Sequence, residues 1–259
     1  MADDLVTLRD SKGARMGRAL AVDGLANARH LGGLRRRDGS LTPRGVFYRS
    51  ENVDRVTQAG WEQVRAAGIR TIVDLRQPGE RAADTGSRPD WVATRQVDLD
   101  GLENHSFWKD YWDNGLVGTA LYFRPHLRTM PERSGAALAA IITAPPGGVL
   151  FHCMGGQDRT GMIAMLLLAA IDTDIEDIVD DYLETVRLGD LRAATSNRNS
   201  DEALIEELCQ SHGSTTEDAF RSVVTGLQLS ALLASAGLTD QEIHGLRTWR
   251  GAVRTQPPA

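Results

Sequence analysis

Residues 149–161 read VLFHCMGGQDRTG, an apolar run that leads through a loop with two glycines into a second apolar segment. The run VLFHC predicts a strand that is buried on both faces, and the pattern from Arg159 to Ile171 predicts a helix. Cys153, one of two cysteines in the chain, ends the strand, and Arg159 follows six residues later. This stretch therefore predicts a strand, loop and helix unit that presents a thiol and a guanidinium at one place.

The remaining patterns predict an α/β fold with additional helices. Three further segments have the composition of strands: VFYRS (46–50), IRTIVDL (69–75) and WVATRQVDL (91–99). Helical patterns fill residues 105–143 and the C-terminal third, where capping-box sequences begin at Ser214 and Thr239. We expect a central, mostly parallel sheet flanked by helices, with extra C-terminal and lid-type helices. We expect a single domain over residues 25–259, preceded by an N-terminal extension of residues 1–24.

Composition limits the choice of partners. The chain has 259 residues, of which 41% are hydrophobic and 25% charged, and its formal net charge is −6. This is the composition of a folded protein, and the acidic balance argues against nucleic acid or an anionic membrane surface as the main partner. The N-terminus MADDLVTLRD lacks the apolar core of a signal peptide, so we expect a cytoplasmic protein without stable membrane association. Two cysteines form neither a disulfide framework nor a zinc-binding spacing.

The glycine-containing loop suits chemistry on an anion. The thiolate is the reactive form of cysteine, and backbone N–H groups and the positive end of a helix dipole stabilise it. The same features bind phosphate, and Gly155 and Gly156 allow the backbone to approach closely. Arg159 offers a planar fork to two phosphate oxygens, and Thr160 is placed to hydrogen-bond the thiolate or to close the loop. The sequence predicts a nucleophile inside an anion-binding loop.

HCMGGQDRTG (152–161) resembles the His-Cys-x5-Arg-Thr-Gly signature loop of the protein tyrosine phosphatase superfamily. Five further segments are similar to the bacterial tyrosine phosphatases that carry an aspartate in this loop: NARHLGG (27–33), VFYRS (46–50), TIVDLRQPGE (71–80), DDYLET (180–185) and AGLTDQEIHGLR (236–247). The resemblance implies hydrolysis of phosphate monoesters through a phosphocysteine, with a phosphorylated substrate as the partner. It implies no cofactor and no metal.

The resemblance also implies residue roles. Cys153 is the nucleophile, and Arg159 holds the oxygens of the transferring phosphoryl group. Asp158 matches the loop aspartate used as general acid, and Asp74 ends a strand at the same crevice, so either carboxylate is a candidate acid. Substrate binding falls to the rest of the loop and to one further arginine: Met154, Gly155, Gly156, Gln157, Thr160, Gly161 and Arg76. His152 and Glu80 are expected to support the site, and Arg76 is expected to orient it through Glu80 or the loop.

Two positions depart from the family pattern. Gln157 stands where a lysine is common, and His30 stands where a carboxylate supports the site. The loss of one positive charge favours a phosphotyrosine or a small nucleoside or sugar phosphate over a highly charged lipid. The alternatives are a phosphoinositide phosphatase and a phosphate-binding module with impaired catalysis. Sulfur transfer or arsenate reduction is less favoured, because Cys209 is the only further thiol.

Two other features have plainer interpretations. Cys209 has helical spacing from Leu204, Ile205 and Leu208, which is typical of a core residue rather than of a resolving thiol. The aromatic residues between positions 105 and 123 also have helical spacing. This spacing favours a core role over a lid that stacks an aromatic ring above the loop.

Overall fold

The structure, a computed structural model, describes residues 17–84, 86–195 and 199–254. Most of the predicted N-terminal extension, residues 1–16, lies outside the described residues. Its last part contacts the rest of the chain, since Ala19 forms an antiparallel bridge with Arg29 and Val22 is buried in a hydrophobic cluster. Residues 17–24 are therefore described together with the domain.

Five strands in the described part of the chain form one sheet in the order β1-β2-β5-β3-β4. Their bounds are β1 Arg29–His30, β2 Phe47–Ser50, β3 Ile69–Asp74, β4 Ala93–Gln96 and β5 Gly148–His152. β1 is antiparallel to β2, and every other neighbouring pair is parallel. The expected central, mostly parallel sheet is confirmed.

Helices surround this sheet. Their bounds are α1 Gln58–Ala66, α2 Pro78–Ala82, α3 His105–Trp112, α4 Phe123–Thr129, α5 Pro131–Ile142, α6 Asp158–Ala169, α7 Ile175–Arg187, α8 Gly189–Thr195, α9 Glu202–Ser211, α10 Thr216–Thr225, α11 Leu229–Ser235 and α12 Asp240–Arg247. A short 3₁₀ turn, Ala120–Tyr122, precedes α4. No helix formed by the described residues is long and apolar enough to cross a membrane.

The central strand separates two apolar layers. Successive residues of β5 point to opposite faces, so Leu150 packs with Trp61 of α1 while Val149 and Phe151 belong to the larger cluster on the other face. Leu167 of α6 lies in that larger cluster. Because both faces are covered, β5 is buried along its whole length, as its apolar sequence predicts.

Local sequence signals set several element ends. Thr57 caps α1 by accepting from Gly60 N, and Thr239 and Glu242 form the expected capping box of α12. The helix expected at Ser214 begins one residue later, because Thr215 is the residue whose side chain accepts from Asp218 N. The strand expected over residues 91–99 is shorter and spans Ala93–Gln96 at the edge of the sheet, where it is mostly exposed.

Close packing between helices leads to a first prediction. A Cβ at Gly135 of α5 would overlap the carbonyl oxygen of Ala236. Gly135→Ala should therefore lower the free energy of unfolding by about 1–3 kcal/mol, which lowers Tm by several degrees. Ala136→Ser, at an exposed position of the same helix, should change stability by less than about 0.5 kcal/mol. Equal Tm values for Gly135→Ala and the unmodified protein would contradict this packing argument.

Candidate active site

The candidate site lies at the carboxyl end of β5, where three parallel strands end side by side. His152 is in register with Ser50 of β2 and Asp74 of β3. The chain then passes through Cys153 and two glycines into α6, whose first residue is Asp158. The N-terminal amide groups and the positive dipole end of α6 therefore adjoin the thiol.

Gly156 shapes the loop and contacts the thiol. Its φ angle of 72° lies in the left-handed region. A Cβ at this position would lie 2.6 Å from the carbonyl oxygen of Ser50 and 2.7 Å from the amide nitrogen of Glu51. The Gly156 N–H donates to Sγ of Cys153 at 3.3 Å. Because only glycine fits this conformation in this space, one residue both turns the loop and supplies a hydrogen bond to the buried thiol.

Two carboxylates orient the guanidinium of Arg159. Its Nη2 donates to Oε1 of Glu80 at 2.8 Å, and its Nη1 donates to Oε2 of Glu80 at 2.5 Å and to Oδ2 of Asp100 at 2.8 Å. Burial alone would lower the pKa of Arg159, but Glu80, Cys153 and Asp100 raise it, so the guanidinium keeps its charge. Glu80 thus contacts Arg159 directly, and this geometry agrees with a supporting role.

Asp158 combines a shielded carboxyl group with a position in the same cavity as the thiol of Cys153. Burial raises its pKa to about 6, although Arg159 and Arg192 oppose this shift. Its Oδ1 atom is buried and has no hydrogen-bond partner among the described residues. A carboxyl group in this state keeps its proton nearer to neutral pH than an exposed aspartate does, which is what a general acid needs.

Asp100 is a site residue that the sequence analysis did not identify. It follows β4, and its carboxylate binds Arg159. Burial raises its pKa to about 6; Arg159 opposes the shift, while Glu80 and Asp98 add to it. A signal was available in the sequence, because residues 91–99 were predicted as a strand and Asp100 follows the carboxyl end of that segment. The carboxyl ends of parallel strands meet at one edge of a sheet.

Asp74 and Arg76 form a buried pair beside the loop. Asp74 accepts from Nε of Arg76 at 3.0 Å and from its Nη2 at 2.9 Å. The same guanidinium also donates to Asp54 and Asp84. Burial would raise the pKa of Asp74, but Arg76 and His152 lower it below its usual value. This carboxylate is ionised at neutral pH, so the geometry favours a positioning role over a general-acid role.

Arg76 is not among the described residues that line the cavity over the loop. The side chain is fully buried, and both terminal nitrogens donate to carboxylates. This geometry disfavours the substrate contact expected for Arg76, because the local ion pairs hold the guanidinium inside the protein. Glu80, through which Arg76 was expected to act, is bound instead by Arg159.

His152 and Thr160 flank the loop and are both fully buried. Burial lowers the pKa of His152 to about 4 although Asp74 opposes this, so the imidazole is neutral. Its Nδ1 lies 3.0 Å from the carbonyl oxygen of Cys153. Thr160 Oγ1 has no hydrogen-bond partner within the described ranges, so the expected bond to the thiolate is not made. His152 can orient the loop backbone, and Thr160 lies inside the first turn of α6.

Two further loop residues, Met154 and Gly161, join the loop to neighbouring elements. The carbonyl oxygen of Met154 accepts from the amide of Asn52 at 3.0 Å, which ties the loop to the segment after β2. Gly161 faces the ring of Tyr182, because a Cβ there would lie 2.9 Å from Cδ2 of that ring. These contacts fix the two ends of the loop against neighbouring elements.

A cavity of about 350 Å³ opens over the loop. Cys153, Asp158 and Arg159 line it together, whereas neither Asp100 nor Asp74 is among its described lining residues. Its far wall comes from α8, α9 and the described residues between them. Arg192 of α8 was not identified from the sequence, because nothing in its local pattern indicates that it reaches the loop.

Gln157 joins the loop to this wall. Its Oε1 accepts from Nη2 of Arg192 at 2.8 Å, and its Nε2 donates to Glu202 at 3.4 Å. The amide is therefore held by the wall and is nearly buried. His30, the other departure from the family pattern, lies on β1 and contacts Gly17 and Arg44 rather than the loop.

Comparison with known proteins agrees with this geometry. A sequence profile of the tyrosine phosphatase family matches residues 20–249. The chain belongs to the tyrosine phosphatase family. The matched range runs from the segment before β1 to the end of α12 and contains the whole loop, so the family resemblance inferred from the sequence is confirmed.

Several members of the tyrosine phosphatase family are similar over part of their length. A putative tyrosine-protein phosphatase of Cupriavidus necator is 34% identical over 175 residues, which are 64% of this chain and 62% of the relative. A triple specificity protein phosphatase of Mycobacterium tuberculosis is 30% identical over 168 residues, 54% of this chain and 61% of the relative. A tyrosine-protein phosphatase of Nostoc commune is 26% identical over 231 residues, 81% of this chain and 75% of the relative. The chain thus spans about three fifths of the first two relatives.

The loop geometry of this tyrosine phosphatase family member gives a second prediction. Gly156→Ala should reduce turnover of an aryl phosphate by about 10²- to 10³-fold, because the new Cβ displaces the backbone that donates to Cys153. Gly213→Ala is the matched control, since Gly213 also has a φ angle of 72° but open space around it. The control should lose stability only. Equal activity losses in the two variants would assign the effect to backbone strain rather than to the loop.

Proposed function

We propose that this chain is a cysteine-dependent phosphatase that hydrolyses phosphate monoesters through a phosphocysteine intermediate. One observation carries the proposal: the thiol of Cys153, the guanidinium of Arg159 and the shielded carboxyl of Asp158 line a single cavity at the N-terminus of α6. A nucleophile, an anion-binding group and a candidate acid are thus within reach of one bound phosphate.

The proposed reaction has two steps. In the first, Cys153 Sγ attacks phosphorus, the S–P bond forms, and the P–O ester bond breaks while Asp158 gives its proton to the leaving oxygen. In the second, water attacks phosphorus, its proton passes to Asp158, and the thiolate leaves as inorganic phosphate forms. Arg159 and the loop N–H groups stabilise the charge on the non-bridging oxygens in both steps.

The cavity supports a soluble phosphomonoester as substrate. Its described lining holds three arginines and four acidic residues, and Gln157 adds no charge; these residues are Arg55, Arg159, Arg192, Glu51, Asp158, Asp201 and Glu202. A lining in which the acidic residues offset the arginines offers no excess positive charge to a ligand that carries several phosphates, such as a phosphoinositide headgroup. We propose a phosphotyrosine side chain first and a nucleoside or sugar phosphate second. A cytoplasmic location stays a prediction.

The aromatic residues of α3 do not contribute to this cavity. Phe107 and Trp108 are buried and pack against Tyr122 and His126. They are not among the described residues that line the cavity. Their contacts favour the core role over the lid role, so recognition of a substrate ring would fall to other residues.

The covalent mechanism gives a third prediction. Cys153→Ser should abolish turnover of an aryl phosphate and leave binding of inorganic phosphate largely intact, because the cradle consists of backbone amides and Arg159. Cys209→Ala, which changes the other cysteine, should retain activity. Rapid acid quenching with ³²P-labelled substrate should trap labelled protein in the unmodified enzyme and in Cys209→Ala, but not in Cys153→Ser. Near-normal turnover by Cys153→Ser would exclude the phosphocysteine.

The carboxyl environments give a fourth prediction. A general acid must be protonated, and burial raises the pKa of Asp158 to about 6, so kcat for alkyl phosphates should fall as the pH rises through about 6. Asp158→Asn should remove this dependence and reduce kcat by about 10²- to 10⁴-fold, with a smaller loss for nitrophenyl phosphate.

Asp100→Asn is the matched control, because burial raises the pKa of Asp100 to about 6 as well. This variant should weaken the orientation of Arg159 without flattening the pH profile of alkyl phosphates. If Asp100→Asn flattens the profile and Asp158→Asn does not, Asp100 is the acid and the assignment above is wrong.

A further inference from the structure

The peptide between Gly155 and Gly156 is bound on both sides. Its N–H, which belongs to Gly156, donates to Sγ of Cys153 at 3.3 Å. Its carbonyl oxygen, which belongs to Gly155, accepts from Nη1 of Arg192 at 2.8 Å. The N–H and C=O of a trans peptide point in opposite directions, so a donor that fixes the oxygen also fixes the direction of the N–H. Arg192 therefore sets where the thiol receives its hydrogen bond.

The next peptide is held in the same way from another element. Arg49 of β2 donates from Nη2 to the carbonyl oxygen of Gly156 at 2.6 Å. The N–H of this peptide belongs to Gln157 and points away from Arg49. Arg49 is fixed in turn, because its Nη1 donates to Oδ2 of Asp181 at 2.6 Å and its side chain is 1% exposed. Two arginines from different elements thus bind the carbonyl oxygens of two successive loop peptides.

We propose that Arg192 and Arg49 are positioning residues that hold the carbonyl oxygens of Gly155 and Gly156 outward, so that the following N–H groups face the nucleophile and the phosphate. This inference rests on the proposed function and extends it to residues outside the signature loop. Neither residue touches the reacting atoms. Each acts through a peptide group that does.

Three further contacts hold the guanidinium of Arg192 in a fixed orientation. Its Nε donates to the carbonyl oxygen of Thr185 at 3.2 Å, its Nη2 donates to Gln157 at 2.8 Å, and Glu202 forms an ion pair with it. The planar fork therefore joins α7, the loop and α9 at fixed angles. A lysine at this position keeps the charge but cannot reproduce these directions. This difference separates positioning from simple charge attraction.

A merely structural role for Arg192 is the alternative, in which it only fastens α8 to the domain. That role would affect thermal stability and would leave the loop amides unchanged. The two roles predict different effects of an Arg192 substitution on the preference of Cys153 for anionic alkylating reagents. Oriented N–H groups attract a carboxylate as they attract a phosphate, so a correctly formed loop favours iodoacetate over the neutral iodoacetamide.

The test uses the full chain and three variants: Arg192→Met, Arg192→Lys and Arg187→Met. Arg187→Met is the control, because Arg187 at the end of α7 pairs with Asp180 and Glu184 and is 49% exposed. The measurements are the ratio of iodoacetate to iodoacetamide alkylation rates at Cys153, located by mass spectrometry, the Kd of inorganic phosphate by calorimetry, and Tm. Arg192→Met is expected to lower the alkylation ratio and to weaken phosphate binding by about 10- to 100-fold.

Arg192→Lys is expected to remain impaired in both measurements, and Arg187→Met is expected to match the unmodified protein. Full recovery in Arg192→Lys would show that charge alone acts, and an unchanged ratio in Arg192→Met would show a structural role; either result overturns the inference. Alkylation does not require turnover, so the two proposals fail separately. If the unmodified protein binds phosphate and prefers iodoacetate but has no phosphatase activity, only the proposed function is wrong.

Discussion

The close packing of the Gly156 backbone against Ser50 and Glu51 is the contact on which the rest of the site depends. It places the loop against the end of β2, at a separation that a Cβ would not permit. With the loop in this position, the Gly156 N–H reaches the thiol of Cys153 and α6 begins directly behind it. The sheet therefore positions the thiol of Cys153 through backbone contact, because β2 lies beside β5.

The charges around the loop are arranged in two parts. On the cavity side, Arg159 is bound by the carboxylates of Glu80 and Asp100, so much of its charge is locally balanced. On the other side of the loop positive charge is in excess, because three buried guanidinium groups bind the single carboxylate of Asp181. These groups belong to Arg18, Arg29 and Arg49. The arginine cluster and the dipole of α6 supply a positive environment for an anion that does not depend on Arg159 alone.

Sequence patterns predicted the parts of the site that are contiguous in the chain. The buried strand, the glycine turn and the helix from Asp158 are adjacent in the chain, so their periodicity and residue types are sufficient to locate the loop. Asp100 and Arg192 reach the same region from other elements. The position of Asp100 after a predicted strand was a signal for it, whereas the local sequence of Arg192 carries no sign of its contact with the loop. Arg76 was expected at the substrate, because a strand-end arginine gives no indication of whether it faces the cavity or the buried carboxylates nearby.

Three aspartates at this edge of the sheet differ in pKa and in contacts because their surroundings differ. Asp74 is paired with Arg76, so its pKa is lowered and it stays ionised as a structural anion. Asp100 and Asp158 both have pKa values raised by burial to about 6, but Asp100 already binds Arg159. Asp158 alone among them lines the cavity, and its Oδ1 has no hydrogen-bond partner in the described structure. A proton held on Asp158 is therefore placed to reach a leaving oxygen, whereas a proton on Asp100 would first weaken the ion pair that orients Arg159.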